Sequence, residues 1–326
     1  MKKLWVFLLI FCLLSGFTAA ETASADLIPG KARIVFADQT EAAAILKTKD
    51  DFINSLSRFD RMSILKTDQL LPIDEFCNRI ASEALAWDPG EIVKITNIID
   101  SIKGKLQPLK LDLPERIFLI KTTGNEEGHA AYTRGQSIFL PQKYVDYDSN
   151  RLEQTLIHEL FHVYSRANRE KRDQLYRIIG FSRCPPLQYP NELRDLKITN
   201  PDTTDDHYIT VRHQGKTIPV IPVLYANRPY DAAGGLDFFA YMSFGLLAVK
   251  ISKNDCTALF RNGTLFRNGI TLIPPNPSYL EQIGQNTNYI INPEEILADN
   301  FVLLVNQEQK VKSPFVIAGM MRVLRE

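Results

Sequence analysis

Apolar and polar positions change their period along this chain. Ile73, Phe76, Cys77 and Ile80, then Ile92, Ile95, Ile98, Ile99 and Ile102, recur every three or four residues. That spacing predicts two helices over residues 73–103, broken at Asp88-Pro89-Gly90. A further helical patch falls near residues 41–56, inside a mixed, polar stretch, and Pro108 and Pro114 mark a linker. From residue 116 the period shortens. Residues 116–121 predict a strand, Thr123-Gly124-Asn125 a turn, and residues 130–140 a hairpin around Arg134-Gly135-Gln136. Asp148-Ser149 then caps a helix along which Leu152, Leu156, Leu160 and Val163 recur, and another helix covers residues 170–179.

Residues 185–290 form a β-rich segment with many prolines and turns. Residues 207–212 and 217–224 flank Gln214-Gly215 as a hairpin, and Pro219 and Pro222 restrict its second strand to an edge or a bulge. Residues 236–249 read as an apolar helix, and residues 260–273 as one more hairpin. Asn292-Pro293 opens a helix to about Val305, with proline at its first position, and Ser313-Pro314 opens the last. The chain shows no internal repeat and no low-complexity tract.

The start of the chain has a different character. Lys2 and Lys3 precede an almost unbroken apolar run over residues 4–14, followed by small residues at Thr18-Ala19-Ala20 and Ala23-Ser24-Ala25. Residues 1–25 are therefore expected to be a secretory signal peptide, too short for a comfortable membrane span. This leader looks bacterial and implies a periplasmic or secreted protein, with no stable membrane insertion after cleavage. Lysines plus arginines number 38, as do aspartates plus glutamates, so charge points to neither nucleic acid nor an anionic membrane. Cys77, Cys184 and Cys256 remain after cleavage. One disulfide with one free thiol is possible in an oxidising compartment, as is burial of all three as small apolar residues. Spacing does not select a pair.

The chemistry is concentrated at His158-Glu159-Leu160-Phe161-His162, on the helix capped at Asp148. Residues four apart share a helical face, so both imidazoles can reach one Zn²⁺ with Glu159 beside them as general base. A catalytic zinc site needs a third protein ligand. Position 168 is Asn168 rather than histidine, which removes the metzincin arrangement. Glu295-Ile296-Leu297-Ala298-Asp299 lies on the helix opened by Asn292-Pro293. Glu295 could complete a His₂Glu set, and Asp299 could accept the second N–H of a ligating imidazole, with His158 favoured. Alternatively Glu295, three residues beyond Asn292, could close a capping box. Glu294 has only Ala298 four residues on, Glu192 sits in a proline-flanked loop, and His207 or His213 offers a His₃ alternative.

H-E-x-x-H followed by E-x-x-x-D resembles the gluzincin branch of zinc metallopeptidases. The interval of about 130 residues between the two motifs is much longer than in thermolysin-like enzymes. The resemblance implies an α+β, zincin-like domain with a small mixed sheet, an active-site helix and a ligand helix packed across it. This domain is expected over residues 116–326, after a helical N-terminal region over 26–115. The resemblance further implies one zinc per chain and hydrolysis of a peptide or protein substrate laid against an edge strand, a place suited to residues 130–140. His207, His213, Tyr225, Tyr230 and Tyr289 are candidates to stabilise the oxyanion. The rival expectations are a zinc amidase acting on cell-wall peptides and a non-catalytic envelope binding protein on the same scaffold.

Overall fold

A computed structural model describes residues 23–259 and 272–326. The protein is mixed α+β, with two sheets. The first contains β1 (Ser24–Ile28), β2 (Ala32–Phe36), β3 (Arg116–Thr122), β4 (Tyr132–Arg134) and β5 (Ser137–Pro141), in the order β1-β2-β3-β5-β4. The inner three are parallel, and β1 and β4 run antiparallel at the edges. Between β2 and β3 come α1 (Gln39–Leu46), α2 (Asp51–Ser55), α3 (Arg58–Ile64), α4 (Ile73–Ala81) and α5 (Pro89–Leu106). After β5 follow α6 (Gln142–Val145), α7 (Ser149–Ala167) and α8 (Arg169–Ile178).

The second sheet gathers β6 (Phe181–Arg183), β7 (Leu187–Gln188), β8 (His207–His213), β9 (Lys216–Ala226), β10 (Met242–Ile251) and β11 (Cys256–Ala258), with β12 (Leu272–Ile273) against β10. Short helices α9 (Asn191–Arg194) and α10 (Phe238–Tyr241) lie in its connections. The chain closes with α11 (Pro277–Ile283), α12 (Pro293–Val305) and α13 (Pro314–Arg325). No helix among the described residues is long and apolar enough to cross a membrane.

One apolar core joins a face of the first sheet to α5, α7, α8, α12 and α13. Leu152, Leu156, Leu160 and Val163, the repeating positions of α7, are all buried in it. Phe161 packs against Phe301 of α12, ring centroids 5.5 Å apart. That contact sets α7 against α12. Each helix start has its local cause. Asp148 accepts the Arg151 N–H at 3.0 Å, and Asn292 accepts the Glu294 N–H at 2.9 Å.

Several expectations meet added detail or a different outcome. The N-terminal region over residues 26–115, expected to be helical, also contains strands. It begins with β1 and β2, pairs in parallel with β3, and sends α5 into the shared core. The expected signal peptide over residues 1–25 lies mostly outside the described residues, but Ser24 and Ala25 belong to β1 and Ala25 is buried. A cut after Ala20 leaves that strand whole; a cut after Ala25 removes part of it. Residues 236–249 are not one helix but α10 and most of β10. A continuous apolar run fits a strand covered on both faces as well as a helix, and in β10 Leu246 and Ala248 enter one core while Leu247 and Val249 enter another. The hairpin over 260–273 falls largely outside the described residues.

The prolines of β9 show how a central strand tolerates them. β8 pairs with residues up to Val220, and β10 pairs from Val220 onward. Pro219 thus has a neighbour on one side only, and Pro222 on the other side only, so each is locally at an edge.

Candidate metal centre

The crossing of α7 and α12 brings His158, Glu159 and His162 face to face with Glu294, Glu295 and Asp299. Glu295 Oε2 lies 3.1 Å from His158 Nε2 and 3.6 Å from His162 Nε2. Behind each imidazole stands a carboxylate. Asp299 Oδ1 is 3.1 Å from His158 Nδ1, and Glu294 Oε1 is 3.0 Å from His162 Nδ1. Both Nδ1 atoms therefore donate, and each Nε2 is turned toward Glu295 Oε2. Asp299 accepts in turn from the Thr287 hydroxyl, and Glu294 from Ser165 and Tyr176.

These positions suit a metal ion. Ligand atoms on a tetrahedral ion at about 2.0–2.1 Å stand roughly 3.3–3.4 Å apart. The distances from Glu295 to the two imidazoles fall on either side of that value. His162 Nε2 is fully buried yet has no hydrogen-bond partner, although nearly every buried polar atom finds one. A cation between His158, His162 and Glu295 would satisfy it. Among the described residues, His158, Glu159 and His162 form one group whose ligand atoms lie within 4.8 Å of one another, and His162, Asp202 and Glu295 form a second.

No family model, curated protein or solved structure matches the chain.

Charge in the centre is set by burial against pairing. Burial opposes the imidazolium of His158, but hydrogen bonds to Asp299 and Glu295 outweigh it and raise its pKa to about 10. Burial likewise opposes protonated His162, and the charge of Asp202, the hydrogen bond to Glu294 and the Glu295 carboxylate 3.6 Å away hold it well above the ordinary value. Burial works against ionised Glu295 too, but the two imidazoles keep its carboxyl below the usual carboxylate range. In the metal-free protein, protons thus stand where a divalent cation would supply the charge. Burial raises the pKa of Glu159, partly countered by the imidazoles and by the Thr133 hydroxyl, which donates to Glu159 Oε2 at 2.8 Å.

Four residues of this centre carry no sequence signal. Glu294, whose only weighed role was as a ligand, is instead the acceptor that orients His162. Thr133 of β4 fixes the Glu159 carboxylate. Asn200 donates to Glu295 Oε1 at 2.5 Å, and Asp202 accepts the Thr133 N–H at 2.7 Å. The last two lie in the connection from α9 to β8, where no periodicity exists to place a side chain.

The other candidates separate cleanly. His207 sits between Asp173 at 3.0 Å and Asp206 at 2.8 Å, against the Tyr176 ring. His213 ends β8 opposite Lys216, Tyr225 lies on β9 against the core of the second sheet, and Tyr230 packs on Phe59. The capping-box alternative for Glu295 is not taken, because Asn292 bonds the Glu294 N–H and the Glu295 carboxylate faces the histidines. Tyr289 differs from the other aromatics. Its ring is partly exposed, while burial of its hydroxyl and the negative charges of Glu295, Asp202, Glu159 and Asp299 push its pKa well up.

Proposed function

We propose that this protein is an exported, zinc-dependent metallopeptidase. His158, His162 and Glu295 hold the ion, Asp299 and Glu294 orient the two imidazoles, and Glu159 is the general base. The observation that carries this reading is one Glu295 carboxylate oxygen 3.1 Å from His158 Nε2 and 3.6 Å from His162 Nε2, with the buried Glu159 carboxylate within 4.8 Å of ring nitrogens of both histidines.

Bound Zn²⁺ supplies Lewis-acid activation of water and of the scissile carbonyl. The chain's own residues supply the proton traffic. Glu159, anchored by Thr133, takes a proton from the attacking water and returns it to the leaving amine. Its raised pKa suits both halves of that cycle, because a very acidic carboxylate would be a poor acceptor. Tyr289, whose phenol is sensitive to the charges of Glu295, Asp202, Glu159 and Asp299, is our candidate to donate to the developing oxyanion.

The test is Glu159→Gln. Zinc should remain at about one per chain while hydrolysis of casein or a peptide library falls by about 10²–10⁴-fold, the usual range for losing a general base. Near-normal hydrolysis by a clean preparation of this variant would refute the mechanism.

A further inference from the structure

The centre has more carboxylates than a catalytic zinc site uses. Three protein ligands leave a fourth position for water, whereas four protein ligands make the closed shell of a structural site. Here Asp202 approaches that fourth position. Its carboxylate, Glu295 and His162 have ligand atoms within 4.8 Å of one another, and the unpartnered His162 Nε2 lies among them. Asp202 is 8 % exposed and reaches the cluster from the β4 side, with Oδ1 on the Thr133 N–H at 2.7 Å.

The same segment occupies the edge of the first sheet. β4 has three residues, and in an antiparallel pair the backbone groups of successive residues face opposite ways. Thr133, the middle one, turns its N–H and C=O away from β5. The N–H goes to Asp202, and the C=O accepts from Arg166 Nη1 at 2.6 Å. The other arm of the Arg166 guanidinium donates to the Pro201 carbonyl. An extended peptide pairing with β4 would need both Thr133 groups.

The segment is also fastened at its base. Ser57 donates to the Lys197 carbonyl at 2.6 Å, and Thr199 donates through its hydroxyl at 2.7 Å and its N–H at 3.2 Å to the two oxygens of Asp60, at the start of α3. A cavity of about 1190 Å³ runs past residues 197–206 and is lined by Asn200, Asp205 and Asn292, but by none of His158, Glu159, His162 and Glu295. Open space thus borders the segment on that side.

We propose that Asp202 occupies the fourth coordination position as a protein ligand in the resting state, and that residues 197–206 lower the peptidase activity without abolishing it by lying where substrate would pair with β4. This inference rests on the zinc reading of the site. Release of the segment frees one coordination position and the Thr133 backbone in a single movement.

The full mature chain loaded with Co²⁺ tests this, with the visible spectrum as readout and acetohydroxamate as the probe for an open position. In the wild-type protein, millimolar acetohydroxamate should leave the cobalt bands unchanged. In Asp202→Ala the starting bands should differ, and the probe should shift them further. Loss of Zn²⁺ to a chelator should quicken by at least the roughly 10–100-fold that follows loss of an outer-shell partner. Asp202→Asn keeps the size and the bond to Thr133, and carries the same comparison should the alanine variant fail to fold. Identical spectra and equal probe binding in wild type and both variants would overturn the proposal while leaving the zinc reading intact. A wild-type protein that takes up neither Co²⁺ nor Zn²⁺ would overturn both.

Discussion

Glu294 is the most demanding test of how the centre is held. Its carboxylate is 1 % exposed and accepts from His162 Nδ1, the Ser165 hydroxyl and the Tyr176 hydroxyl. Alanine would strand three buried donors at about 1–3 kcal/mol each, a loss comparable to the whole stability of a domain. Glu294→Gln is the informative change, since it keeps the shape and one acceptor oxygen but removes the charge. A hydrogen bond to a charged group contributes about 1.5–3 kcal/mol, and half or more of that should be lost. Transmitted through His162, a deficit of about 0.8–3 kcal/mol weakens zinc binding about 4–150-fold, a span that brackets the roughly 10–100-fold cost of losing an outer-shell partner. Competition with a chromophoric chelator measures the affinity, and urea unfolding of the metal-free protein measures stability separately. Wild-type zinc affinity in a folded Glu294→Gln protein would refute the reasoning, because His162 would then need no oriented tautomer.

Other outcomes follow from the same geometry. Glu295→Ala should lose zinc outright, where Glu294→Gln only weakens it; stoichiometric metal in Glu295→Ala would show that another group is the third ligand. Metal-free protein should lose stability as pH rises from 6.5 to 10. His158 keeps its proton to about pH 10 when folded but only to its ordinary 6.5 when unfolded, so its stabilisation is complete below 6.5 and gone by 10. Asp202 acts in the same direction at lower pH, since burial raises its pKa from 3.8 to about 8. A thermal midpoint of chelator-stripped protein that rises across that interval would refute this. Cys184 and Cys256 are in side-chain contact within the core of the second sheet, whereas Cys77 lies in a separate cluster beside α4. Protein recovered from an oxidising compartment should give a 184–256 cross-link on non-reducing peptide mapping, with Cys77 alkylated as a free thiol; a link to Cys77 would contradict the placement.

The sequence made α7 and α12 readable because three signals coincide on each: a cap, an apolar stripe and chemical residues at a spacing of four. The pairing of Asp299 with His158 followed from the same spacing. Glu294 did not, because consecutive helical residues diverge by about 100° and only an observed crossing shows that both Glu294 and Glu295 reach α7. Asp202 and Asn200 were out of reach for a different reason, since a connection without period gives no direction to its side chains. β1 overlaps the expected leader, and β2 takes one of its two partners, β3, from some 80 residues later. β10 has no period to measure, because both of its faces are buried.

The crossing of α7 and α12 also governs the order in which the protein matures. His158 and Glu295 are 137 residues apart. A chain emerging from its amino end presents both histidines long before their carboxylate partner, and an isolated pair of imidazoles has little hold on an ion. On the zinc reading proposed above, firm capture of the ion therefore waits until α12 has docked on α7. From then on the ion favours the completed fold, by about 2.7 kcal/mol when free zinc is 100 times Kd. Occupancy of the centre would then report that synthesis and folding are finished, and truncated or misassembled chains would remain empty and exposed to degradation.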